Sequence, residues 1–337
     1  MTPLRQMMFV AGLVLVALSL AAAVDPEEVA PAAAAPVAEP VDTAKRIALT
    51  FDDVPRGPGA FYTTSERTTR LIAALRDSGV TQAAFFANPG RIGKDGAARL
   101  AAYAAAGHAI ADHSWAHRDL RRLSARAFLA DIDKAEAFLK GCSNYRPWFR
   151  FPGLNQGGRD ARKRRAVLDG LSARGLQIAW VTVDGSDWNI EGQTIAAKQA
   201  GKPIDDAALR DLYVETMVQS ADFSDVLLRR VAGRAVPHVM LLHETDIAAR
   251  YTRDLIAALR RDGWTIVTAD EAYADPIYDQ QGDFDSANGT LPEALAWQRR
   301  LPGPLYYERN DIARANRLFA ERVLRASTAP TGAIAAR

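Results

Sequence analysis

Cysteine is nearly absent from this sequence: Cys142 is the only one in 337 residues, so an intrachain disulfide is excluded. Stability must therefore come from a hydrophobic core, and a chain of this length with 48% hydrophobic residues can form one large core plus appendages. A charge excess is also lacking, because 42 basic residues face 40 acidic ones. That balance gives no indication of nucleic-acid binding as a general property.

One basic run departs from this balance of charge. The segment "RDARKRR" (159–165) is the densest cluster of positive residues in the chain. Two interpretations remain open for it: a solvated helix face, or a local site for an anionic partner.

The long apolar run of the sequence lies near its beginning. Arg5 precedes "MMFVAGLVLVALSL" and a stretch of small residues follows, which is the pattern of an export signal. We expect residues 1–23 to be a signal peptide and the protein to be secreted or periplasmic. The run is close to the lower length limit of a membrane span, so an uncleaved anchor is the alternative, and membrane contact is expected only then. Residues 24–44 are rich in Ala and Pro and predict a flexible linker.

From residue 45 onward, short apolar runs alternate with amphipathic stretches. The amphipathic stretches cover about 64–77, 94–106, 124–140, 158–174, 205–232 and 249–261. The runs predicted as strands are "RIALTF" (46–51), "QAAFFA" (82–87), "HAIAD" (108–112), "PWFRF" (147–151), "LQIAWVTV" (176–183), "HVMLLH" (238–243) and "WTIVTA" (264–269).

Seven strands with helices between them predict an α/β fold, either an open parallel sheet or an incomplete TIM-like barrel. Reactive residues of a barrel gather at the carboxyl ends of its strands, and five strands here end in ionisable groups. This distribution favours a deformed (β/α) barrel of about seven parallel strands, with a helical insertion and C-terminal helices. The groups at the strand ends are Asp52-Asp53, His113, Arg150, Asp184 with Asp187, and His243.

Two of these strand ends carry residues suited to a metal. His113 and His117 stand four apart in "ADHSWAHRDL" (111–120), which places both imidazoles on one face if the segment turns helically. Two imidazoles and one carboxylate form a common site for zinc or another divalent transition metal. Asp52 and Asp53 are adjacent acids whose repulsion a cation would relieve, with one acid as ligand and the other free to accept a proton. The alternative is that either acid only caps a turn or a helix.

At this point the sequence resembles the polysaccharide deacetylases of carbohydrate esterase family 4, with their NodB-type domain. Five motifs occur in the order of that family: "TFDD" (50–53), "HSWAH" (113–117), "RFPG" (150–153), "DGSDW" (184–188) and "LLH" (241–243). The resemblance places a NodB-like domain at 45–275 and a C-terminal extension at 276–337. It implies a deformed (β/α) barrel that hydrolytically removes N-acetyl groups from a polysaccharide containing N-acetylglucosamine, peptidoglycan or a chitin-like glycan, and releases acetate.

The resemblance also implies roles for the residues in the first three motifs. Asp53, His113 and His117 would bind the divalent metal, which is usually zinc, with Co²⁺, Mn²⁺ or Ni²⁺ as alternatives. Asp52 would be the general base, held charged and oriented by Arg150.

The remaining motifs imply an acid and a groove wall. His243 would be the general acid that protonates the leaving amine, tuned by Asp187, and Trp188 would form an aromatic wall of the groove. Phe151 and Trp115 could stack on sugar rings, although aromatic residues near a strand end are packing residues at least as often.

Three other functions remain open beside the deacetylase. Related sequences include O-acetyl esterases acting on xylan-like glycans and hydrolases of small cyclic amides, and a non-catalytic glycan-binding protein could keep the same fold. Three local features bear on the site: Val54 stands where the family usually has glycine, Glu244 adds negative charge next to the predicted acid, and the long 189–236 connection could cover part of the groove.

Overall fold

The computed structural model describes residues 43–282 and 289–325. The predicted signal peptide, nearly all of the predicted linker and the last residues of the C-terminal extension lie outside these ranges. Within them, none of the helices combines the length and the apolar character that a membrane crossing requires.

The described residues form one parallel sheet curled into a half-barrel, with helices following most strands, which confirms the deformed (β/α) barrel. Its hydrogen-bonded order is β5-β4-β3-β2-β1-β7-β6, and β8 pairs with the first residues of β1. The strands are β1 (Lys45–Val54), β2 (Ala84–Ala87), β3 (Ala109–Asp112), β4 (Tyr145–Phe149), β5 (Gln177–Ile178), β6 (Val183–Asp184), β7 (His238–His243) and β8 (Trp264–Ile266).

The helices begin at side-chain caps that the sequence supplies. Thr63 and Glu66 form a capping box at the first helix, and Asp205 accepts a hydrogen bond from Ala208 N at the longest one. The helices are α1 (Thr64–Asp77), α2 (Gly96–Ala105), α3 (Ala125–Leu139), α4 (Ala161–Ser172), α5 (Asp187–Gln199), α6 (Asp206–Ala232), α7 (Asp246–Arg261), α8 (Ala269–Tyr273), α9 (Leu291–Gln298) and α10 (Ile312–Arg322).

The single strand predicted at 176–183 is in fact two short strands at opposite ends of the sheet. β5 pairs with β4, whereas β6 pairs with β7. Between them, Ala179 N donates to Phe149 O and Thr182 N donates to Val239 O, so one short segment reaches from one end of the sheet order to the other. The apolar run looked continuous in sequence because both pieces and their connection are buried.

Alternation along β1 assigns its residues to two cores. Ile47, Leu49 and Phe51 pack among the helices on one face of the sheet, and Ala48 packs into the cluster on the other. Asp52 has the parity of Ala48, so the strand delivers this carboxylate to the second face at its carboxyl end.

The long connection after β6 forms α5 and α6, and neither helix covers the cleft described below beyond the first turn of α5. α6 instead packs against α7 and α9. The segment after residue 275, predicted as an extension, returns to the face that carries the cleft. α10 packs against α5, and Ile312 at its start and Asn310 just before it line the cleft.

Candidate active site

A cleft of about 500 Å³ opens at the carboxyl ends of the strands. Most of the site residues predicted from the sequence line this cleft, although they lie far apart in the chain. Its lining comprises Asp52, Asp53, Arg56, His113, His117, Arg121, Gly153, Leu154, Asn155, Asp184, Ser186, Trp188, Leu241, His243, Asn310 and Ile312.

A bulge at the end of β1 explains how two adjacent acids both reach this cleft. In a regular strand Asp52 and Asp53 would point to opposite faces. The pairing with β2 shifts register between Phe51 and Val54, and Asp53 adopts a left-handed backbone with φ of 62°. Aspartate is among the few non-glycine residues that adopt this conformation readily. The bulge therefore cancels the alternation and turns both carboxylates to the same side.

The two histidines lie on an irregular loop after β3, so the helical turn considered from their spacing is wrong. Ser114 and His117 both have positive φ, which no α-helix allows. The loop is held by polar contacts instead: Asp112 Oδ1 accepts from Ser114 N at 2.6 Å, and Ser114 Oγ accepts from His117 N at 3.1 Å. Asn88 donates its side-chain amide to two carbonyls of the loop. The imidazole rings still meet, with centroids 4.9 Å apart.

Asp53, His113 and His117 offer three ligand atoms that all lie within 4.8 Å of one another. Asp53 Oδ1 is 3.1 Å from His117 Nε2 and 3.9 Å from His113 Nε2. Ligands of a tetrahedral zinc ion are separated by about 3.3 Å, given metal–ligand bonds of about 2.0 Å. Asp53 Oδ1 is buried and has no hydrogen-bond donor among the described residues, so the donor set fits a divalent transition ion.

The protonation of both imidazoles suits ligands. His113 Nδ1 lies 2.9 Å from Arg150 O, and a carbonyl can only accept, so Nδ1 carries the proton and Nε2 presents its lone pair to the site. Burial lowers the pKa of His117 to about 4, aided by the neighbouring His113, which keeps its ring neutral near pH 7. Burial alone would raise the pKa of Asp53, but the positive charges of His243 and Arg56 help to lower it to about 2. All three groups are therefore in the forms that coordinate metals.

Within the described residues, only one oxygen of the Asp52 carboxylate, Oδ1, accepts a hydrogen bond. Arg150 Nη1 donates to Asp52 Oδ1 at 2.6 Å and to Thr50 Oγ1 at 2.8 Å, and both side chains of this ion pair are buried. Tyr273 OH accepts from Arg150 Nη2 at 2.7 Å. Asp52 Oδ2 faces His113 Nε2 at 3.6 Å, directed toward the predicted metal ligands. The arrangement fixes the orientation of the carboxylate and leaves one oxygen available for a proton.

His243 lies beside Asp52 because their strands pair in register. Asp187, in the first turn of α5, accepts from His243 N and contacts His243 Nδ1, both at 2.7 Å. Burial would lower the pKa of His243, but the charge of Asp187 and its hydrogen bond raise it to about 9. The imidazole is therefore protonated at neutral pH, with Nε2 as its remaining donor.

The three aromatic residues nominated for sugar binding lie in different places. Trp188 lines the cleft and is 42% exposed, an unusual exposure for an indole. Phe151 is only 3% exposed and stacks on Phe128 with ring centroids 6.0 Å apart. Trp115 packs against Gly90, whose amide donates to its carbonyl. The structure brings only Trp188 into the cleft.

Several residues of the site carry no signal in the sequence. Tyr273 and Asn88 support Arg150 and the histidine loop from elements outside the five motifs. Asn310 donates to Asp184 O and accepts from Ser186 Oγ, and Ile312 lies next to it on the cleft wall. A polar residue in an irregular segment has no periodicity that would single it out. The tail therefore looked irregular in sequence, although two of its residues line the cleft.

Glu244 does not place an uncompensated charge beside His243, contrary to the expectation from sequence. Arg99 Nη2 donates to both of its carboxylate oxygens, at 2.6 and 2.7 Å, and Tyr103 OH donates at 2.7 Å. Arg56 N donates to Glu244 Oε2 at 2.6 Å, which ties the loop after Asp53 to the residue after His243. The glutamate thus joins the strand ends that carry Asp53 and His243.

Replacing Arg99 with alanine is expected to lower the free energy of unfolding by about 3–5 kcal/mol. The change leaves the Glu244 charge buried without its partner, which is the costly way to break a buried ion pair. Urea denaturation followed by circular dichroism measures the effect. Arg76→Ala is the matched control, because its pair with Asp77 is exposed and should contribute little. Equal stabilities of the two variants would show that this pair does not support the loop.

Comparison with known proteins agrees with this geometry. Residues 40–169 match the family model described as "Polysaccharide deacetylase". The peptidoglycan-N-acetylglucosamine deacetylase PgdA of Listeria monocytogenes is 23% identical over 252 residues, which cover 74% of this chain and 43% of that protein. The chain thus spans less than half the length of the curated relatives it matches.

Two solved structures illustrate the range of similar folds. The peptidoglycan deacetylase PdaC from Bacillus subtilis is 22% identical, with a TM-score of 0.44 over 69% of this chain and 91% of that one. A CE4 family pseudoenzyme from Bacillus anthracis is 19% identical, with a TM-score of 0.46 over 68% of this chain and 66% of that one. Residues 40–169, which contain the aspartate pair and both histidines, are thus similar to the polysaccharide deacetylase family.

Proposed function

We propose that the protein is a metal-dependent hydrolase that removes N-acetyl groups from a polysaccharide containing N-acetylglucosamine and releases acetate. The observation that carries the proposal is the joint presence of a metal-ligand triad, a paired carboxylate and a carboxylate-supported imidazole in one cleft. A protein that only binds glycans has no physical reason to assemble all three.

Asp53, His113 and His117 would hold the ion, with zinc as the first choice and Co²⁺, Mn²⁺ or Ni²⁺ as alternatives. A divalent ion held there supplies Lewis acidity, which polarises the acetyl carbonyl and lowers the pKa of a coordinated water.

Asp52 would act as the general base. Arg150 occupies Oδ1 and keeps the carboxylate ionised and oriented, so Oδ2 accepts the proton of the attacking water. The water oxygen bonds to the acetyl carbon, and one proton is transferred to Asp52 Oδ2. Arg150 itself is held by Tyr273 and Ala179 O, so this orientation does not depend on substrate.

His243 would act as the general acid. The Asp187 carboxylate stabilises the imidazolium, and Nε2–H is the remaining proton that can be given to the departing nitrogen. As the carbon–nitrogen bond breaks, this proton completes the free amine, and acetate is the other product. One base and one acid thus flank the reacting carbonyl.

Trp188 is the proposed sugar contact, because it exposes an aromatic face at the edge of the cleft. The pattern of residues 1–23 supports a secreted or periplasmic location for this activity.

One observation favours a second candidate, a hydrolase of short ligands such as a small cyclic amide or an acetylated xylan fragment. Asn310 and Ile312 wall one side of the cleft, and a walled cleft suits a short ligand better than the middle of a long polymer.

An acetate-release panel tests both candidates. The purified protein should release acetate from N-acetylated oligosaccharides or peptidoglycan, and removal of the metal by a chelator should stop the reaction until metal is restored. Faster release from acetylated xylan than from any N-acetylated glycan would favour the second candidate. A protein without stoichiometric metal, whose activity is unchanged by His113→Ala, would contradict the metal-dependent chemistry.

Replacing Asp187 with asparagine is expected to move the alkaline limb of the pH–rate profile down by about two units. His243 must be protonated to act as an acid, so activity persists below its pKa of about 9 and is lost as the pH rises through it. Without the carboxylate charge, that pKa returns toward the ordinary histidine value of about 6.5. Profiles of kcat/KM from pH 5 to 10 measure the shift, and an unmoved limb would mean that His243 is not the acid.

A further inference from the structure

The sequence left two interpretations of the basic run at 159–165 open. The structure shows where this run lies. Arg159 and the first turn of α4 follow the carboxyl end of β4, and the segment Arg118 to Arg122 follows the carboxyl end of β3. Both segments therefore lie on the face of the barrel that carries the cleft, because the helix beginnings of a (β/α) fold share that face.

The two segments are in contact with each other and with the cleft. Lys163 Nζ donates to Leu120 O and Arg121 O, each at 3.3 Å. Arg121 itself lines the cleft together with Asn155. The positive surface is thus continuous with the place where the acetylated sugar is proposed to bind. We call Arg118, Arg121, Arg122, Arg159, Arg162, Lys163 and Arg165 the basic rim.

Part of the charge of this surface has no counter-charge in the fold, although Arg121 pairs with Asp119 at 2.6 Å. Residues 118–126 and 159–165 contain nine basic and two acidic side chains, although the whole chain is nearly balanced. Arg118, Arg122, Arg162 and Arg165 are exposed and form no ion pair within the described ranges. Other arginines are paired, as Arg174 with Asp133 and Arg146 with Asp270 show. Clustered like charges repel one another, so these four arginines, which lack an ion pair within the described ranges, favour an external anion.

We propose that the basic rim binds carboxylate groups of the glycan whose acetyl group enters the cleft, so that the preferred substrate is an anionic N-acetylated glycan; this rests on the proposed function. Guanidinium groups pair well with carboxylates, and exposed pairs of this kind weaken as salt screens them. Carboxylates of this type occur on lactyl ethers and peptide stems of peptidoglycan and on uronic acids. A neutral chitin-like chain offers the rim no negative charge to pair with.

A glycan is favoured over nucleic acid or an anionic membrane for two reasons. The rim leads directly into the cleft, so one chain can occupy both. Outside the two segments the chain is net acidic, which would repel a large polyanionic surface.

The test compares two variants of the full chain that lose the same number of charges. Arg122→Gln/Arg162→Gln neutralises exposed rim residues that do not line the cleft. Arg260→Gln/Arg261→Gln is the matched control, because these exposed arginines end α7 at the opposite face of the barrel. Three labelled probes are used: trimmed peptidoglycan strands, hyaluronan oligosaccharides and neutral chitooligosaccharides.

At low salt the rim variant should bind one or both anionic probes about tenfold more weakly than wild type, from the loss of two exposed charge contacts. It should bind chitooligosaccharides unchanged, and the control variant should match wild type throughout. Where acetate is released, KM should rise for the anionic substrate while kcat stays constant, and the advantage of wild type should vanish at about 0.5 M salt. The anionic probe that responds more strongly identifies the source of the carboxylates.

Binding by fluorescence anisotropy separates this proposal from the proposed function, because it does not need turnover. Absence of acetate release from all three glycans would overturn the deacetylase while leaving the binding result intact. Equal binding of anionic probes by the rim and control variants would overturn the rim proposal, whatever the activity. Tighter rim-dependent binding of duplex DNA or phosphatidylglycerol vesicles than of either anionic glycan would overturn it as well.

Discussion

Asp52→Asn is expected to bind metal as wild type does and to lower kcat by about 10²- to 10⁴-fold, the usual contribution of a general base. The substitution keeps the shape of the side chain and removes only its ability to take a proton. Arg150 can still donate to the amide oxygen at the position of Oδ1, so the buried contact that orients the residue survives. The Oδ2 position, which faces His113, becomes an NH₂ group that cannot accept a proton.

Metal content by elemental analysis and acetate release under saturating substrate measure the two parts of this expectation. The thermal midpoint serves as a control for folding, because loss of a buried charge next to Arg150 also changes stability. Tyr273→Phe is a milder companion: it removes a partner of Arg150 and leaves Asp52 itself intact. An Asp52→Asn protein without metal would show that the two aspartates have the reverse roles.

A division of roles between the two acids is a prediction from the sequence, but the geometry that would permit it could not be predicted. The doublet at the end of an apolar run predicted a strand end with two charges in one place. A regular strand alternates its side chains, so the doublet by itself predicts one carboxylate on each face. Only the bulge at Asp53 turns both into the cleft, and a single residue in left-handed backbone leaves no pattern in the sequence.

The histidine loop and the cleft wall are two further features whose geometry could not be predicted from the sequence. Spacing of four residues correctly brought His113 and His117 together, but a tight loop held by Asn88 and Asp112 does this without a helix. Asn310 reaches Asp184 across 126 positions of chain. Periodicity predicts which residues share a face of one helix or strand. The contact between Asn310 and Asp184 depends instead on how the segment after residue 275 packs against the barrel.

Asp53→Ala is expected to lose both metal and turnover, unlike Asp52→Asn. The substitution removes the only carboxylate of the triad and leaves two imidazoles, whose nitrogens alone make a poor site for a divalent ion. Changes to groups that merely support a ligand weaken metal binding by about 10- to 100-fold, so deletion of a ligand should weaken it by more than about 100-fold. Titration of the demetallated protein with Zn²⁺, followed by calorimetry, measures this directly.

Asp187→Asn is the matched control for this loss, since it removes a cleft carboxylate that supports His243 and is not a member of the triad. It should bind one equivalent of metal with nearly the wild-type affinity while its pH profile changes. Full metal binding by Asp53→Ala would exclude Asp53 as a ligand and leave Asp52, whose Oδ2 lies 3.6 Å from His113 Nε2, as the carboxylate at the metal. The reaction would then need a proton acceptor other than Asp52. Metal retention in the two aspartate variants therefore decides which acid binds the ion and which takes the proton.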